Sequence, residues 1–123
     1  MLKLLVVDDS NIIRRKIQRA CINETFEVVG LAGNGIEALR QFGDLGPEVV
    51  TMDITMPHMD GIECVEEMIG RNPNVRILVV SALADKATGI EALEKGARGF
   101  LCKPFSDKQL SDALYELSED IHV

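Results

Sequence analysis

The sequence predicts an α/β fold: a doubly wound, five-stranded parallel sheet made of five successive βα units, (βα)5. Two observations carry that expectation. Five short apolar, β-branched runs recur along the 123 residues, each followed by an amphipathic stretch of helical period. That alternation is the pattern of strands joined by crossover helices. Four of the runs also break off at polar residues whose chemistry fits together. Leu4-Leu5-Val6-Val7 stops at Asp8-Asp9, Val49-Val50-Thr51-Met52 at Asp53, Ile77-Leu78-Val79-Val80 at Ser81, and Gly99-Phe100-Leu101-Cys102 at Lys103-Pro104. Only the run from Phe26 to Leu31 ends without a candidate group. Ligands of open parallel sheets bind outside the carboxyl ends of the strands, near the point where strand order reverses. Three carboxylates, one hydroxyl and one ammonium would therefore converge on a single crevice.

The elements follow in order. Met1 to Val7 reads as the first strand. The stretch from Ser10 to Asn23 puts Ile13, Ile17, Ala20 and Cys21 on one helical face, with Arg14, Arg15 and Arg19 mostly elsewhere. Phe26 to Leu31 is the second strand. Asn34 followed by Glu37 resembles a capping box opening a second helix, predicted to end near Gly43. After the third strand, Asp60-Gly61 begins a third helix. Asn72-Pro73 closes it, because proline disfavours helix at the residue before it. Asp85 caps a fourth helix that ends near Gly96. Ser106 with Gln109 caps the fifth, whose apolar stripe is Leu110, Ala113, Leu114 and Leu117. Right-handed crossovers then place helices on both faces of the sheet. The pattern alone leaves strand order open. The flavodoxin-like order 2-1-3-4-5 is favoured because it sets strands one and three side by side, bringing Asp8 and Asp9 next to Asp53.

Length fits one domain over residues 1–123 with one core. Hydrophobic residues at 46% and charged residues at 27% describe a globular chain rather than a disordered one. A net charge of −7 repels a phosphate backbone, so direct nucleic-acid binding is not expected. No apolar run approaches the roughly 20 residues that cross a bilayer. Met1 to Val7 is too short for a signal-peptide core, so the expected location is the cytoplasm, without a membrane partner. Cys21, Cys64 and Cys102 lie far apart, without C-x-x-C spacing, and read as core or near-core thiols rather than disulfides or zinc ligands. Gly30, Gly33 and Gly35 do not form a G-x-G-x-x-G loop.

The polar residues themselves describe phosphoryl chemistry. A central carboxylate such as Asp53 can act as a nucleophile and form an aspartyl phosphate. That transfer needs in-line positioning and neutralised phosphoryl charge more than covalent help. Mg²⁺ supplies the neutralisation and prefers one or two carboxylates plus waters and phosphate oxygens, a role that suits Asp8 and Asp9. Lys103 adds a mobile ammonium that can pair with Asp53 and then with a phosphoryl oxygen, and Ser81 a hydroxyl donor.

Asp8-Asp9-Ser10, Met52-Asp53-Ile54-Thr55-Met56-Pro57, Met59-Asp60-Gly61, Ser81-Ala82 and Lys103-Pro104-Phe105, in that order, resemble the receiver domain of two-component response regulators, CheY-like and chemotaxis-type. The resemblance spans essentially the whole chain. It implies that Asp53 is the phosphoacceptor, supplied by a histidine kinase, and that Mg²⁺ (or Mn²⁺) is the cofactor. It further implies that Asp9 and Asp53 ligate the metal directly, Asp8 through water, and Thr55 through its main-chain carbonyl. Ser81 and Lys103 would stabilise the phosphoryl group, across a cis Lys103-Pro104 bond. Ser81 and Phe100 would form the switch that alters the face of the fourth helix, fifth strand and fifth helix for a downstream partner protein. By the same resemblance, Thr55 and Leu83 overhang the approach of hydrolytic water. Leu83 offers it no hydrogen bond, which predicts a long-lived phosphorylated state ended by a separate phosphatase.

Two other classes fit these residues less well. A Mg²⁺-dependent aspartyl-phosphate phosphatase of the haloacid dehalogenase type needs a second aspartate two residues after the nucleophile, where this chain has Thr55. A flavin-binding module needs a hydroxyl-rich phosphate loop after the first strand, and Asp8-Asp9 would repel that phosphate. The expected role is thus a phosphoacceptor rather than an enzyme, apart from supporting its own phosphotransfer and slow dephosphorylation. The remaining alternative is the receiver portion of a larger regulator with DNA-binding or methylesterase output.

Overall fold

The computed structural model describes residues 1–21, 25–54, 61–82 and 86–119. Strands and helices alternate through them: β1 (Leu2–Val7), α1 (Asn11–Ala20), β2 (Phe26–Ala32), α2 (Gly35–Leu45), β3 (Val49–Asp53), α3 (Gly61–Arg71), β4 (Arg76–Ala82), α4 (Lys86–Glu94), β5 (Gly99–Lys103) and α5 (Asp107–Ser118). The five strands form one parallel sheet in the order β2-β1-β3-β4-β5, as predicted.

Strand side chains alternate between faces, and the apolar residues of β1 divide between two cores accordingly. Leu5 and Val7 join Val50, Met52, Ile77 and Val79 beneath α2, α3 and α4. Leu4 and Val6 join Val49, Leu78 and Val80 beneath α1 and α5. Each fully buried leucine or isoleucine contributes roughly 2 kcal/mol through water exclusion. With both faces covered, the strands read as near-continuous apolar runs. Cys21 and Cys64 are buried and Cys102 is half-buried, all as free thiols. Burial pushes the Cys21 thiol up to about 11.

Local capping signals were accurate at the fifth helix. Ser106 Oγ accepts from the Gln109 N–H at 3.0 Å, and Gln109 Oε1 accepts from the Ser106 N–H at 2.8 Å. At α2 the box is one-sided. Asn34 Oδ1 accepts from the Glu37 N–H at 2.8 Å, but the Glu37 carboxylate accepts from Gln41 instead, at 3.0 Å. Two boundaries differ from expectation. The first helix stops at Ala20, with Cys21 as its cap residue. The second runs through Gly43 to Leu45 and stops at Gly46, whose φ of 57° is left-handed. Phe42 is buried in the core just before Gly43, so packing carries the helix past a glycine that would weaken it in isolation. Asp60 and Asp85, the predicted starts of the third and fourth helices, lie outside the described residues.

Candidate functional site

Register sets the site. Val7 pairs with Met52 across β1 and β3, so Asp8 and Asp53 leave adjacent strands at the same level. Carboxylate oxygens of Asp8, Asp9 and Asp53 lie within 4.8 Å of one another, Asp8 and Asp53 buried and Asp9 exposed. Asp8 is held from several sides. Its N–H donates to the Ala32 carbonyl at 3.0 Å, and its Oδ1 accepts from the Ser10 N–H at 2.9 Å. Ser10 in turn caps α1 by accepting from the Ile13 N–H at 3.3 Å. Gly61 opens α3 against the end of β3. A Cβ there would fall 2.4 Å from Ile54 Cα and 2.7 Å from the Asp53 carbonyl oxygen, so only glycine permits this approach.

Lys103 reaches back over the sheet edge. Its Nζ lies 2.9 Å from Asp8 Oδ2 and 3.5 Å from Asp53 Oδ2. The nearer partner is thus Asp8, although the sequence pointed first to Asp53. Asp8 Oδ2 is buried and has the Lys103 ammonium as its ion-pair partner, with no hydrogen bond from any other described group. The Lys103-Pro104 bond is cis, as the resemblance implied.

The electrostatics favour a further cation. Burial pushes the Asp8 carboxyl above its ordinary range, against the pull of Lys103 and the Ser10 amide, and the Asp53 charge adds to the rise. Burial opposes the Lys103 ammonium too, but Asp8 and Asp53 together outweigh it and its pKa is raised. Three carboxylates face one ammonium, and like charges about 5 Å apart repel by roughly 3 kcal/mol at a near-surface dielectric. Hard oxygen donors, surplus negative charge and a buried carboxylate oxygen lacking a hydrogen bond fit a divalent ion such as Mg²⁺.

Ser81 lies inside β4, one residue beyond the Val80 that pairs with Asp53. It is fully buried, and its hydroxyl donates to the Ala82 carbonyl at 3.4 Å. Strand period puts it on the same sheet face as Val79, the partner of Phe100 on β5. The Phe100 ring is half-buried and rests directly on α4, where a Cβ at Gly89 would fall 2.0 Å from Phe100 Cε2. Beside it Gly89, Ile90, Leu93, Phe100 and Cys102 line an apolar hollow of about 310 Å³. Thr55 and Leu83 lie outside the described residues.

Residues 4–115 match the sequence profile of the response regulator receiver domain. The chain belongs to that family. Such receivers are signalling phosphoacceptors rather than conventional enzymes. This receiver is similar to the chemotaxis protein CheY of Listeria monocytogenes, 39% identical over 114 residues that cover 93% of this chain and 96% of that protein. It is 46% identical over 110 residues to a protein-glutamate methylesterase/protein-glutamine glutaminase of Vibrio cholerae, covering 86% of this chain but 29% of that one. Among solved structures it resembles CheY in the CheX–CheY–BeF3–Mg²⁺ complex of Borrelia burgdorferi. There the TM-score is 0.88 and identity 30%, over 94% of this chain and 88% of that one. Among the described residues, no helix is long and apolar enough to cross a membrane.

Sequence reasoning missed two side chains near the site. Arg14 donates to the Asp8 carbonyl, and Lys16 donates to the Phe105 carbonyl. Arg14 reads as part of the polar surface of the first helix and Lys16 is not singled out; nothing in their spacing marks either as a site residue.

Proposed function

We propose that this receiver is the phosphoacceptor switch of a two-component phosphorelay, with Asp53 as acceptor, a histidine kinase as donor and a chemotaxis-type output in the cytoplasm. The juxtaposition of Asp8, Asp9 and Asp53 beneath Lys103 carries the reading. An Asp53 carboxylate oxygen attacks phosphorus in line. The new O–P bond forms as the P–N bond to the donor histidine breaks, and the freed imidazole nitrogen retains the electron pair and takes up a proton. Lys103 moves its charge from the carboxylates to a phosphoryl oxygen, and Ser81 donates its hydroxyl to another. Asp8, Asp9 and Asp53 would hold a divalent ion, with the Thr55 main-chain carbonyl added by the family resemblance, and it would supply charge neutralisation there. Similarity to CheY over nearly its full length supports the chemotaxis assignment. Similarity to a methylesterase receiver supports an alternative, service to a methylesterase-type output. Faster phosphotransfer from the chemotaxis kinase of the same cell than from its other histidine kinases is expected.

Output runs through α4, β5 and α5. As Ser81 moves toward the phosphoryl group, Phe100 turns inward and leaves the hollow beside exposed Ile90 and Leu93 reshaped for a partner. Such a two-state element is what a phosphorylation switch requires. Beryllofluoride with Mg²⁺ should shift NMR signals continuously from Ser81 through Phe100 to Phe105. Changes confined to the surroundings of Asp53 would show that the switch does not reach this face.

By the family resemblance Thr55 and Leu83 overhang the approach of the attacking water, neither brings an amide or carboxylate to orient it, and Leu83 offers it no hydrogen bond, so the phosphorylated state is long-lived and a separate phosphatase ends it. Thr55→Asn with Leu83→Glu should speed self-dephosphorylation about tenfold, or about 1.4 kcal/mol of barrier. A double variant that decays no faster than the parent would remove water access as the determinant.

A further inference from the structure

Lys16 projects from α1, yet its ammonium turns onto the protein. It donates to the main-chain carbonyl of Phe105 and stands 4.7 Å from the centroid of the Phe105 ring. Phe105 is buried and lies two residues beyond Lys103. In a chain of net charge −7, Lys16 makes no ion pair among the described residues. One half-turn earlier, Arg14 donates to the Asp8 carbonyl and, at 3.4 Å, to Asn11 Oδ1. A single rigid helix therefore grips the main chain at both corners of the site. One corner carries Asp8 and the other carries Lys103, the two groups paired at 2.9 Å.

We propose that Lys16 is a positioning residue that sets the β5–α5 corner relative to α1 and so holds Lys103 within reach of Asp8 and Asp53. The inference rests on the reading of Lys103 as the phosphoryl-stabilising cation. The physical basis is a charge-assisted hydrogen bond combined with a cation–π contact on one ring. Phe105 presents both acceptors in one place, so the ammonium fixes the carbonyl and the ring together. The span from Lys103 to Asp8 crosses the ends of β4 and β3, and a small shift of the corner changes where the ammonium arrives. Misplacement by about 1 Å can cost up to 10²-fold in a positioned reaction.

Lys16→Met keeps the length and apolar packing of the stem but removes the donor and the charge, whereas Lys16→Arg retains both. The parent, these two variants and Lys103→Ala are compared in three ways: cation-free thermal melts, amide NMR shifts, and labelling rates with acetyl phosphate at saturating Mg²⁺. Lys16→Met is expected to label roughly threefold to tenfold more slowly. Its amide shifts should be displaced at Lys103 and Asp8 as well as at Phe105 without added cation, and Lys16→Arg should restore both readouts. A folded Lys16→Met with the parent's rate, and with shifts confined to Phe105 and its neighbours, would reduce the contact to surface packing and overturn the proposal. Lys103→Ala separates the two readings. A slow Lys103→Ala beside a parent-like Lys16→Met rejects the positioning role alone, whereas a Lys103→Ala that labels at the parent's rate removes the reading on which the role depends.

Discussion

Asp53→Asn should abolish phosphate incorporation. With acetyl phosphate and Mg²⁺ the parent is expected to gain one acid-stable, base-labile phosphate, the signature of an acyl phosphate, and the variant none. An amide nitrogen or oxygen is a poor nucleophile and a weak ligand for a hard cation, so one substitution removes two functions. Loss of a covalent nucleophile costs on the order of a thousandfold or more in rate. The exchange preserves side-chain volume at a fully buried position. It also removes one member of a repelling carboxylate cluster. The cation-free melt should therefore not fall, and absent labelling would not be an unfolding artefact. Labelling that survives the substitution would move the acceptor elsewhere.

Asp9→Ala should weaken Mg²⁺ binding more than Asp8→Ala. The Asp8 charge is already engaged by Lys103 at 2.9 Å, while Asp9 is exposed and pairs with no cation among the described residues. Asp9 thus has its full charge to offer an incoming ion. Removing an outer-sphere partner typically costs about 10–100-fold in metal affinity, and removing a direct ligand at least as much. We expect about 100-fold for Asp9→Ala and about tenfold for Asp8→Ala. A cation present at 100 times its Kd adds about 2.7 kcal/mol to stability. In a domain of this size that raises Tm by several degrees, roughly 3–6 °C per kcal/mol. Melts over a Mg²⁺ series should show this rise in the parent, little of it in Asp9→Ala and a reduced form in Asp8→Ala. Equal losses would count against direct ligation by Asp9.

Much of the architecture is legible in the sequence. Strand ends show where apolar runs meet aspartate, serine or lysine, and the Ser106–Gln109 cap obeys a rule that acts over three residues. The period-two alternation of β1 distributes Leu4 and Leu5 to opposite cores without further information. Strand order needs chemistry as well as pattern: the flavodoxin-like order 2-1-3-4-5 is favoured because it brings Asp8 and Asp9 beside Asp53. Local signals erred where packing overrode them: Gly43 read as a helix end, but buried Phe42 and left-handed Gly46 place the stop three residues later.

The residues surrounding the carboxylates were another matter. Glycine at 89 looks like a weak helix residue, and only the tertiary structure shows the Phe100 ring resting on it. Lys103 was recognisable as a cation for the site, but its nearer approach to Asp8 than to Asp53 depends on how β5 ends relative to β1. Arg14 reads from the sequence as a side chain off the apolar face of an amphipathic helix, and Lys16 carries no signal of its own. Periodicity and capping arise from neighbours within a turn or two of the same segment, so the sequence by itself determines them. The carbonyl that Lys16 meets lies 89 residues away. Its position is decided when α1 and α5 cover the same face of the sheet, and no spacing within α1 encodes it.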